Sequence, residues 1–513
     1  MKQQQIFLHT LSRLICSVSA LIFLFHMMAC NRPSTWGQQA FKTFKNPVFK
    51  QIEDEKLSGY LKNRIAASDH TFKNPKFLKA FYAKHQYAPV VLDKILTKGQ
   101  LENIITVLAD AGAHGLSADM FNVRQLQSLY QQMRDKNKIS DTEAAYTQLA
   151  ELEVLLANAL TDYSHAMQYG VLSPRKIYAQ YYTETKRPDE KSFSNTLETP
   201  DIKQFLDSVQ PKDKQYQALQ QALTGQPQLT TSAAQEEARR ILVVNLERLR
   251  WKNKPREDKY VLVNIADFTL QVIEKEQAAL QMKVCVGEGR YKNEPDKLIE
   301  YDEEGLKKDR PFNRETPQLN SLLHSVQVNP VWNIPQSIAS NEISRYAAAD
   351  PYYLANNNID VYLNGQRIED PETIDWTAEG AAKQYHFKQR PGAENALGKI
   401  KFLFNNQSSV YLHDTPSKKE FDKPVRAVSH GCVRVEKPLE LAKALFGPGT
   451  EYEAIRKAMQ DGKPRAKDIA LPQKVPVYLC YYTCWADSSG QLQYRKDIYG
   501  LDMVLYSHLK RLI

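Results

Sequence analysis

The sequence predicts an α+β protein in which a helical N-terminal domain precedes a β-dominated domain. The main observation is a change of apolar period near residue 257, where helical spacing gives way to short alternating runs. A second is the length of 513 residues, which exceeds what one hydrophobic core normally serves and favours two or three domains. Hydrophobic residues at 42% and charged residues at 25% are ordinary for globular domains.

The first thirty residues have the pattern of an export signal. Lys2 and Arg13 come before an apolar run that is short for a membrane span but suits a signal-peptide core. The run ends in Ala29-Cys30, which resembles a bacterial lipobox, although an ordinary signal peptide or an uncleaved anchor fits the same residues. We therefore expect a lipoprotein signal peptide at 1–30, a linker at 31–45, lipid attachment to a membrane through Cys30, and a periplasmic location in the cell envelope.

Residues 46–245 are predicted to form the helical domain. Residues 140–143 match a capping box, and apolar residues then recur at helical spacing until Gly170. A shorter helix is expected over residues 101–108. The polar stretch 187–200 lacks periodicity, so it is predicted to be a loop.

Short strand-like runs fill residues 257–450, the predicted β-dominated domain, which also contains the candidate catalytic residues considered below. They read KYVLVNIADFTLQVIE, LQMKVCVG, SVQVNPVW, IKFLFNN, SSVYLHD and VRAVSHGCVRV. The pattern breaks over about 336–397, which we interpret as an insertion that forms a mobile lid without a core of its own. Residues 451–513 are expected to return strands to the catalytic domain.

Four cysteines follow the signal region, too few for a disulfide framework. Cys285, Cys480 and Cys484 lie in strand-like runs and are predicted to be small core residues. Cys432 differs because it ends a polar turn, Ser-His-Gly-Cys, where a thiol is open to chemistry.

A nucleophilic Cys432 needs a base, since a free thiol has a pKa of about 8.5. His413 is separated from Ser429 by fifteen residues, and it comes opposite Cys432 if the two runs are neighbouring strands. His430, two residues before the thiol, is the second candidate. Gly431 leaves room for a carbonyl group, and nearby backbone N–H groups are suited to hold an oxyanion.

The charge balance gives little support to nucleic-acid binding. Lys and Arg number 68 against 59 Asp and Glu, a net charge of +9 spread along the chain. We find no phosphate-cradling glycine loop or zinc-type cysteine pairing. We therefore expect no nucleic-acid partner.

The spacing of His413 to the sequence Ser429-His430-Gly431-Cys432-Val433-Arg434 resembles the signature of the L,D-transpeptidase family. NPVWNIPQSIASNEI and RPGAENALGKIKFLF are similar to its large periplasmic branch, which carries an N-terminal scaffold domain and a capping insertion. FYAKHQYAPV looks like the scaffold. The wider family often has Asn at position 434, and the branch often has Ser at position 430, which argues against His430 as the indispensable base.

The resemblance implies acyl transfer in peptidoglycan synthesis. The Cys432 thiolate would attack a donor tetrapeptide stem, and an acceptor stem amine would resolve the thioester into a 3→3 cross-link. His413 would act as general base and acid, Gly431 would lie at the oxyanion and His430 would position the site, with no metal or other cofactor required. Further residues implied in substrate binding are Arg434, Ser429, Tyr411 and Trp332.

Other functions fit the same residues. Water as acceptor gives an L,D-carboxypeptidase, and a protein lysine gives anchoring of proteins to the wall. A domain of this kind without activity would be a peptidoglycan-binding lipoprotein. Tyr411 and Trp332 are also compatible with ordinary core positions in strands.

Overall fold

The computed structural model describes residues 35–67, 74–225, 232–251, 257–289, 299–301, 307–309, 314–463 and 465–512. The predicted signal peptide and its lipidation site, Cys30, lie outside these ranges. Within them, no helix combines the length and the apolar character needed to cross a membrane. The fold class is the one predicted, with a helical N-terminal region followed by a β-rich region.

Contacts between residues divide the chain into two units. The first comprises the described residues of Met1–Ala111, Ser117–His165 and Pro188–Gln210. The second comprises those of Gly112–Leu116, Ala166–Arg187 and Pro211–Ile513. Three helices that precede the strands in the sequence, Pro174–Ile177, Lys214–Thr224 and Ala233–Arg250, therefore group with them.

The first unit is built from helices. Their bounds are Trp36–Phe44, Asp54–Ala66, Pro75–Lys84, Val90–Lys98, Leu101–Ala109, Val123–Arg134, most of Thr142–Tyr169, Glu190–Glu198 and Ile202–Val209. Short 3₁₀ turns lie at Pro47–Gln51 and Ala118–Phe121, and another, Asp110–His114, leads into the second unit.

The longest helix, Thr142–Tyr169, agrees with the apolar spacing in the sequence. Its first turn is capped by Asp141, whose Oδ1 accepts a hydrogen bond from the backbone N–H of Ala144 at 2.8 Å. The cap is therefore Asp141 and not Ser140, the first residue of the predicted box. The helix ends before Gly170, which has a φ of 74°.

Two predictions for this part of the chain are wrong. The stretch predicted to be a loop contains the helix Glu190–Glu198, because Asp189 and Ser192 form a reciprocal capping box and Phe193 packs inward. Most of the predicted linker 31–45 is the helix Trp36–Phe44, whose last residue is fully buried. A few apolar residues on one face suffice for a short helix that other helices cover.

The second unit combines helices with all of the described strands. The helices are Pro174–Ile177, Lys214–Thr224, Ala233–Arg250, Gln336–Ile338, Ser344–Ala349, Tyr353–Asn356, Pro438–Phe446, Thr450–Asp461 and Leu501–Leu509. The strands are β1 (Lys259–Asn264), β2 (Thr269–Glu274), β3 (Gln277–Gly287), β4 (Ile299–Tyr301), β5 (Lys307–Asp309), β6 (Leu319–Val328), β7 (Trp332–Ile334), β8 (Ile359–Leu363), β9 (Gln366–Arg367), β10 (His386–Gln389), β11 (Ile400–Phe404), β12 (Leu412–His413), β13 (Ala427–Ser429), β14 (Val433–Val435), β15 (Lys467–Cys480), β16 (Cys484–Ala486) and β17 (Leu492–Tyr494).

The main sheet closes into a barrel. Nine strands follow the order β13-β3-β14-β12-β11-β6-β15-β1-β2, and β2 also pairs with β3, so that all of them except β13 complete a ring. Alternate residues of these strands point inward and form the core. They include Val261, Leu270, Val326, Phe402, Leu412 and Val433. The C-terminal strand β15 joins β6 and β1.

The insertion has its own sheet, β7-β10-β8-β9, and its own hydrophobic cluster. The cluster includes Ile334, Ile338, Ile343, Leu354, Val361, Trp376 and Phe387. The expectation that this segment lacks a core is therefore wrong. The strand-like run SVQVNPVW also leaves the main sheet before its end, since Trp332 lies in β7 of the insertion. Its apolar residues come from helix and strand pieces separated by polar turns, so they show no single period.

Candidate active site

Two neighbouring strands, β12 and β14, bring the predicted site residues together. They pair in parallel, with Leu412 opposite Val433 and His413 opposite Arg434. Because Leu412 and Val433 point into the barrel core, the residues that alternate with them point to the outer face. His413 and Cys432 therefore share one face of adjacent strands, as predicted.

The register differs from the sequence-based expectation by two residues. Arg434, and not Cys432, lies opposite His413, so the thiol is a diagonal neighbour of the imidazole. The residue across from Cys432 is Tyr411, whose backbone carbonyl accepts a hydrogen bond from Val433 N–H at 3.1 Å. Tyr411 thus lies within the site, on the same face as the other three side chains.

His413 is buried and oriented by the backbone. Its Nδ1 lies against the carbonyl oxygen of Asp414, a contact that implies a proton on Nδ1 and an unprotonated Nε2. Burial and the nearby Arg434 guanidinium lower the pKa of His413 to about 3. The ring is therefore neutral at rest, with Nε2 able to accept a proton. The sequence could not identify the orienting group.

Asp414 is itself fixed in place. Its carboxylate accepts hydrogen bonds from the backbone N–H of Lys399 at 2.9 Å and from Lys418 Nζ at 2.5 Å. Gly398, at a φ of 61°, passes so close that an added Cβ would lie 2.4 Å from the Asp414 carboxyl group. This packing holds the carbonyl that orients His413.

The Cys432 side chain is half-buried, and burial raises the pKa of its thiol. The backbone N–H and hydroxyl of Tyr411, followed by the cations of Arg434 and Lys401, act in the opposite direction on that pKa. The net effect still favours the protonated thiol. As a nucleophile, Cys432 would therefore need a base.

The turn before Cys432 is held by internal hydrogen bonds. Gly431, at a φ of 114°, donates its N–H to Ser429 Oγ at 3.2 Å. Ser429 Oγ in turn donates to the Cys432 carbonyl oxygen at 2.6 Å. Ser429 is buried, and its hydroxyl forms both of these hydrogen bonds within the turn. Its predicted contact with substrate stays a prediction. Among the described residues, no acceptor bonds the backbone N–H of Cys432, which makes it the better candidate for an oxyanion donor.

Thr316 and Tyr499 fasten this turn to the end of β3. Thr316 Oγ1 donates to the Gly431 carbonyl oxygen and accepts from Gly287 N–H, both at 2.8 Å. The Tyr499 hydroxyl donates to the Gly287 carbonyl oxygen at 2.7 Å. The sequence analysis missed both residues, because no local pattern links three segments so far apart in the chain.

His430 faces the insertion. Its Nε2 lies 2.7 Å from Glu342 Oε1, and Glu342 also pairs with Arg314. Glu342 belongs to the π-helical segment Ala339–Ile343, a form of helix that is often found at functional sites. The structure thus gives His430 a positioning contact, and it places Trp332 in β7, where it packs against the core of the insertion.

Lys401 is a site residue that the sequence analysis missed. It lies opposite His413 on the other side, in β11, and its Nζ is 5.4 Å from the centre of the Tyr411 ring. Burial lowers the pKa of Lys401. Its only signal in the sequence is a lysine between apolar strand residues, which is common on a solvated face.

Of the other cysteines, Cys285 lies in β3 opposite Arg434, whereas Cys480 and Cys484 lie in β15 and β16. Cys285 and Cys484 are buried, and all four described cysteines are free thiols. Burial raises the pKa of Cys285 to about 11 and that of Cys484 to about 12. In the described residues, no group of three or more His, Cys, Asp or Glu side chains is arranged to hold a metal ion.

Comparison with known proteins agrees with this geometry. Residues 76–223 match the Scaffold domain, and residues 258–451 match the L,D-transpeptidase catalytic domain. A Haemophilus influenzae protein named "Putative L,D-transpeptidase" is 26% identical over 436 residues, which cover 85% of this chain and 80% of that protein. The second matched range contains His413, Cys432 and Arg434.

Proposed function

Because this chain carries an L,D-transpeptidase catalytic domain behind a Scaffold domain, we propose that it forms 3→3 cross-links between peptidoglycan stem peptides through a thioester on Cys432. The observation that carries the proposal is the parallel pairing of β12 with β14. It sets a neutral His413, oriented through Nδ1, diagonally beside a protonated thiol.

In the first half-reaction, His413 Nε2 takes the thiol proton as the Cys432 sulfur attacks the carbonyl carbon of the third stem residue. The carbonyl oxygen becomes an oxyanion, which the Cys432 backbone N–H is free to bind. The C–N bond to the terminal D-alanine then breaks, and His413 returns the proton to the leaving amine. The products are a thioester and free D-alanine.

In the second half-reaction, the side-chain amine of an acceptor stem attacks the thioester carbon. His413 takes a proton from that amine and gives it to the departing sulfur. A new amide bond links the two stems, and the thiol is restored for the next cycle.

The acceptor decides between this function and its alternatives. Water in place of the amine gives a trimmed tripeptide, and a protein lysine gives a wall-anchored protein. The contact between Glu342 of the insertion and His430 of the catalytic turn favours the peptide amine, since a cover over the thioester limits access of water.

The test is mass spectrometry of tetrapeptide stems incubated with the purified chain from residue 31. The expected product is a dimer whose mass is that of two stems minus one D-alanine. Cys432→Ser should give no dimer, whereas Cys484→Ala, which removes a buried thiol elsewhere, should keep the activity. A tripeptide without dimer would make the protein a carboxypeptidase.

A carbapenem provides an independent probe of the nucleophile. The thiolate should open the strained lactam and leave one adduct, located on the peptide that contains Cys432. A folded protein that forms neither the adduct nor any stem product would be a peptidoglycan-binding lipoprotein.

For the location, we propose the periplasmic side of the cell envelope with a lipid on Cys30. The support is the Ala29-Cys30 pair after an apolar run. Incorporation of labelled fatty acid into the wild-type chain but not into Cys30→Ser would support this, and equal labelling would exclude it.

A further inference from the structure

A continuous row of side chains crosses the outer face of the barrel through His413. Each residue of the row is the cross-strand partner of the next one, and cross-strand partners point to the same face of a sheet. The row runs Asp468 in β15, Gln327 in β6, Lys401 in β11, His413 in β12 and Arg434 in β14. His413 is thus flanked on both sides by a cation.

Neither cation has an ion pair within the described part of the chain. Arg434 is half-buried, and its buried Nε meets no hydrogen-bond acceptor among the residues that the structure describes. Lys401 is also half-buried, and its Nζ lies near the Tyr411 ring. The nearest acid along the row, Asp468, accepts a hydrogen bond from Gln327 Nε2 at 2.7 Å. Partly buried cations without a counter-ion are unfavourable, which indicates that an anion belongs beside them.

We propose that Lys401 and Arg434 form a carboxylate-binding site on either side of His413, and that this site takes a carboxylate of the donor stem peptide. The inference rests on the proposed function and adds a specificity-determining residue, Lys401, to it. The guanidinium of Arg434 offers a planar fork of donors that matches a carboxylate, and Lys401 adds a point charge.

The arrangement links donor binding to activation of the base. Both cations lower the pKa of His413, so each opposes protonation of the ring when the thiol loses its proton. A bound carboxylate offsets those charges and makes Nε2 a stronger base. A donor without the carboxylate should therefore bind more weakly and also acylate Cys432 more slowly.

Two carboxylates of a tetrapeptide stem have the required chemistry. One is the terminal carboxylate of the leaving D-alanine, and the other belongs to the side chain of a diamino acid at position three. Each lies within a few bonds of the reacting carbonyl. The experiment needs to separate them.

The first experiment compares alkylation of Cys432 by iodoacetate and by iodoacetamide, which differ in a carboxylate against a neutral amide. The measured quantity is the ratio of the two rates, followed by the mass of the Cys432 peptide in the purified full chain. Lys401→Met and Arg434→Met should each lower the iodoacetate-to-iodoacetamide ratio by about tenfold, since one lost charge-assisted contact is worth that factor.

Matched variants keep this result specific. Lys443→Met removes an exposed lysine from the same unit and should leave the ratio unchanged. Lys401→Arg keeps the charge and should restore most of the preference. An unchanged ratio in both Lys401→Met and Arg434→Met would overturn the site. This readout needs neither stem peptides nor transfer, so it does not depend on whether the proposed function holds.

The second experiment uses three tetrapeptide donors: unmodified, amidated at the terminal carboxylate, and amidated at the side-chain carboxylate of residue three. The amide that lowers kcat/KM for acylation about tenfold identifies the bound group. With that donor, Lys401→Met should cause no further loss, because the lost partner is the same. Equal kcat/KM values for all three donors would overturn the proposal that the substrate supplies the carboxylate.

Discussion

Burial shifts the pKa values of His413 and Cys432 in opposite directions, and both shifts favour the uncharged form of the side chain. It lowers the pKa of the imidazole to about 3 and raises the pKa of the thiol. A resting pair of this kind differs from a thiolate–imidazolium pair, in which the thiolate exists before substrate arrives. In the proposed mechanism, proton transfer to His413 then accompanies the attack of the thiol.

The first prediction follows from this neutral pair. The rate at which iodoacetamide modifies Cys432 should rise steadily from pH 6 to pH 9, because the thiolate fraction grows as pH approaches the raised thiol pKa. It should show no step near pH 6.5, since His413 is already neutral there. A plateau that begins below pH 6 would mean that the ion pair forms in the free enzyme.

The second prediction concerns the Tyr411 hydroxyl, which lowers the pKa of the Cys432 thiol. Tyr411→Phe keeps the ring but removes that donor, so acylation by a carbapenem should slow by about tenfold or more, the value of a charge-assisted hydrogen bond. Tyr346→Phe, at an exposed tyrosine of the insertion, is the control and should not change the rate. Equal rates for both variants would remove Tyr411 from the mechanism.

At the scale of elements, one carboxylate joins the insertion to the turn at residues 429–432, the catalytic turn. Glu342 lies in the π-helical segment Ala339–Ile343 and contacts His430 of the turn as well as Arg314. Burial favours its protonated form, but the bonds from His430 and Arg314 outweigh this and lower the pKa of Glu342. The carboxylate is therefore ionised near neutral pH.

The third prediction tests that contact. Glu342→Gln should leave carbapenem acylation within about threefold of the wild type but shift stem products from the cross-linked dimer towards the tripeptide, because the cover over the thioester loosens. Glu379→Gln, at an exposed position of the same insertion, should change neither quantity. A normal dimer-to-tripeptide ratio in Glu342→Gln would make the contact merely structural.

A point variant is a sharper test than deleting part of the insertion. Residues 356–382 include β8, β9 and Trp376, which belong to the sheet and core of the insertion. Their removal would unfold the insertion, and a loss of activity would then say nothing about the contact with His430.

At the scale of the whole molecule, one buried acid connects two helices of the helical unit. Glu153, on the long helix, accepts hydrogen bonds from the backbone N–H groups of Val91 at 2.9 Å and Leu92 at 2.7 Å. These are first-turn donors of the helix Val90–Lys98, whose N-cap residue Pro89 supplies no side-chain cap. The Tyr82 hydroxyl completes the set at 2.5 Å.

The fourth prediction is a pH dependence of that unit. Burial raises the pKa of Glu153 from 4.5 to about 7, so the folded chain holds a proton that the unfolded chain releases between those values. The free energy of unfolding should therefore fall as pH rises from 4.5 to 7, by about 3 kcal/mol at most.

Hydrogen exchange of the helix Val90–Lys98 at pH 5 and pH 7.5, corrected for intrinsic rates, measures this change. Glu153→Gln should abolish the difference in protection between the two pH values. Glu151 lies on the same helix as Glu153 and pairs with Arg64. Glu151→Gln should therefore retain the difference in protection between the two pH values. Protection that is equal at both pH values in the wild type would show that Glu153 stays ionised when buried.

The sequence by itself determined the features that local patterns carry. The helix Thr142–Tyr169 follows from its apolar spacing, because 3.6 residues per turn repeat along the chain. The order of helices before strands follows from a change of that period. His413 and Cys432 could be singled out because a base and a thiol in a small-residue turn have few other uses.

Only the tertiary structure decided what surrounds that pair. A period of two tells which residues share a face, but not which strand lies beside which, or in what register. The parallel pairing of β12 with β14 put Arg434 opposite His413, and β11 added Lys401 on the other side. Thr316 bonds the turn at Gly431, and Tyr499 bonds Thr316, from distant segments for the same reason. Such contacts depend on packing in space, which leaves no periodic mark in the sequence.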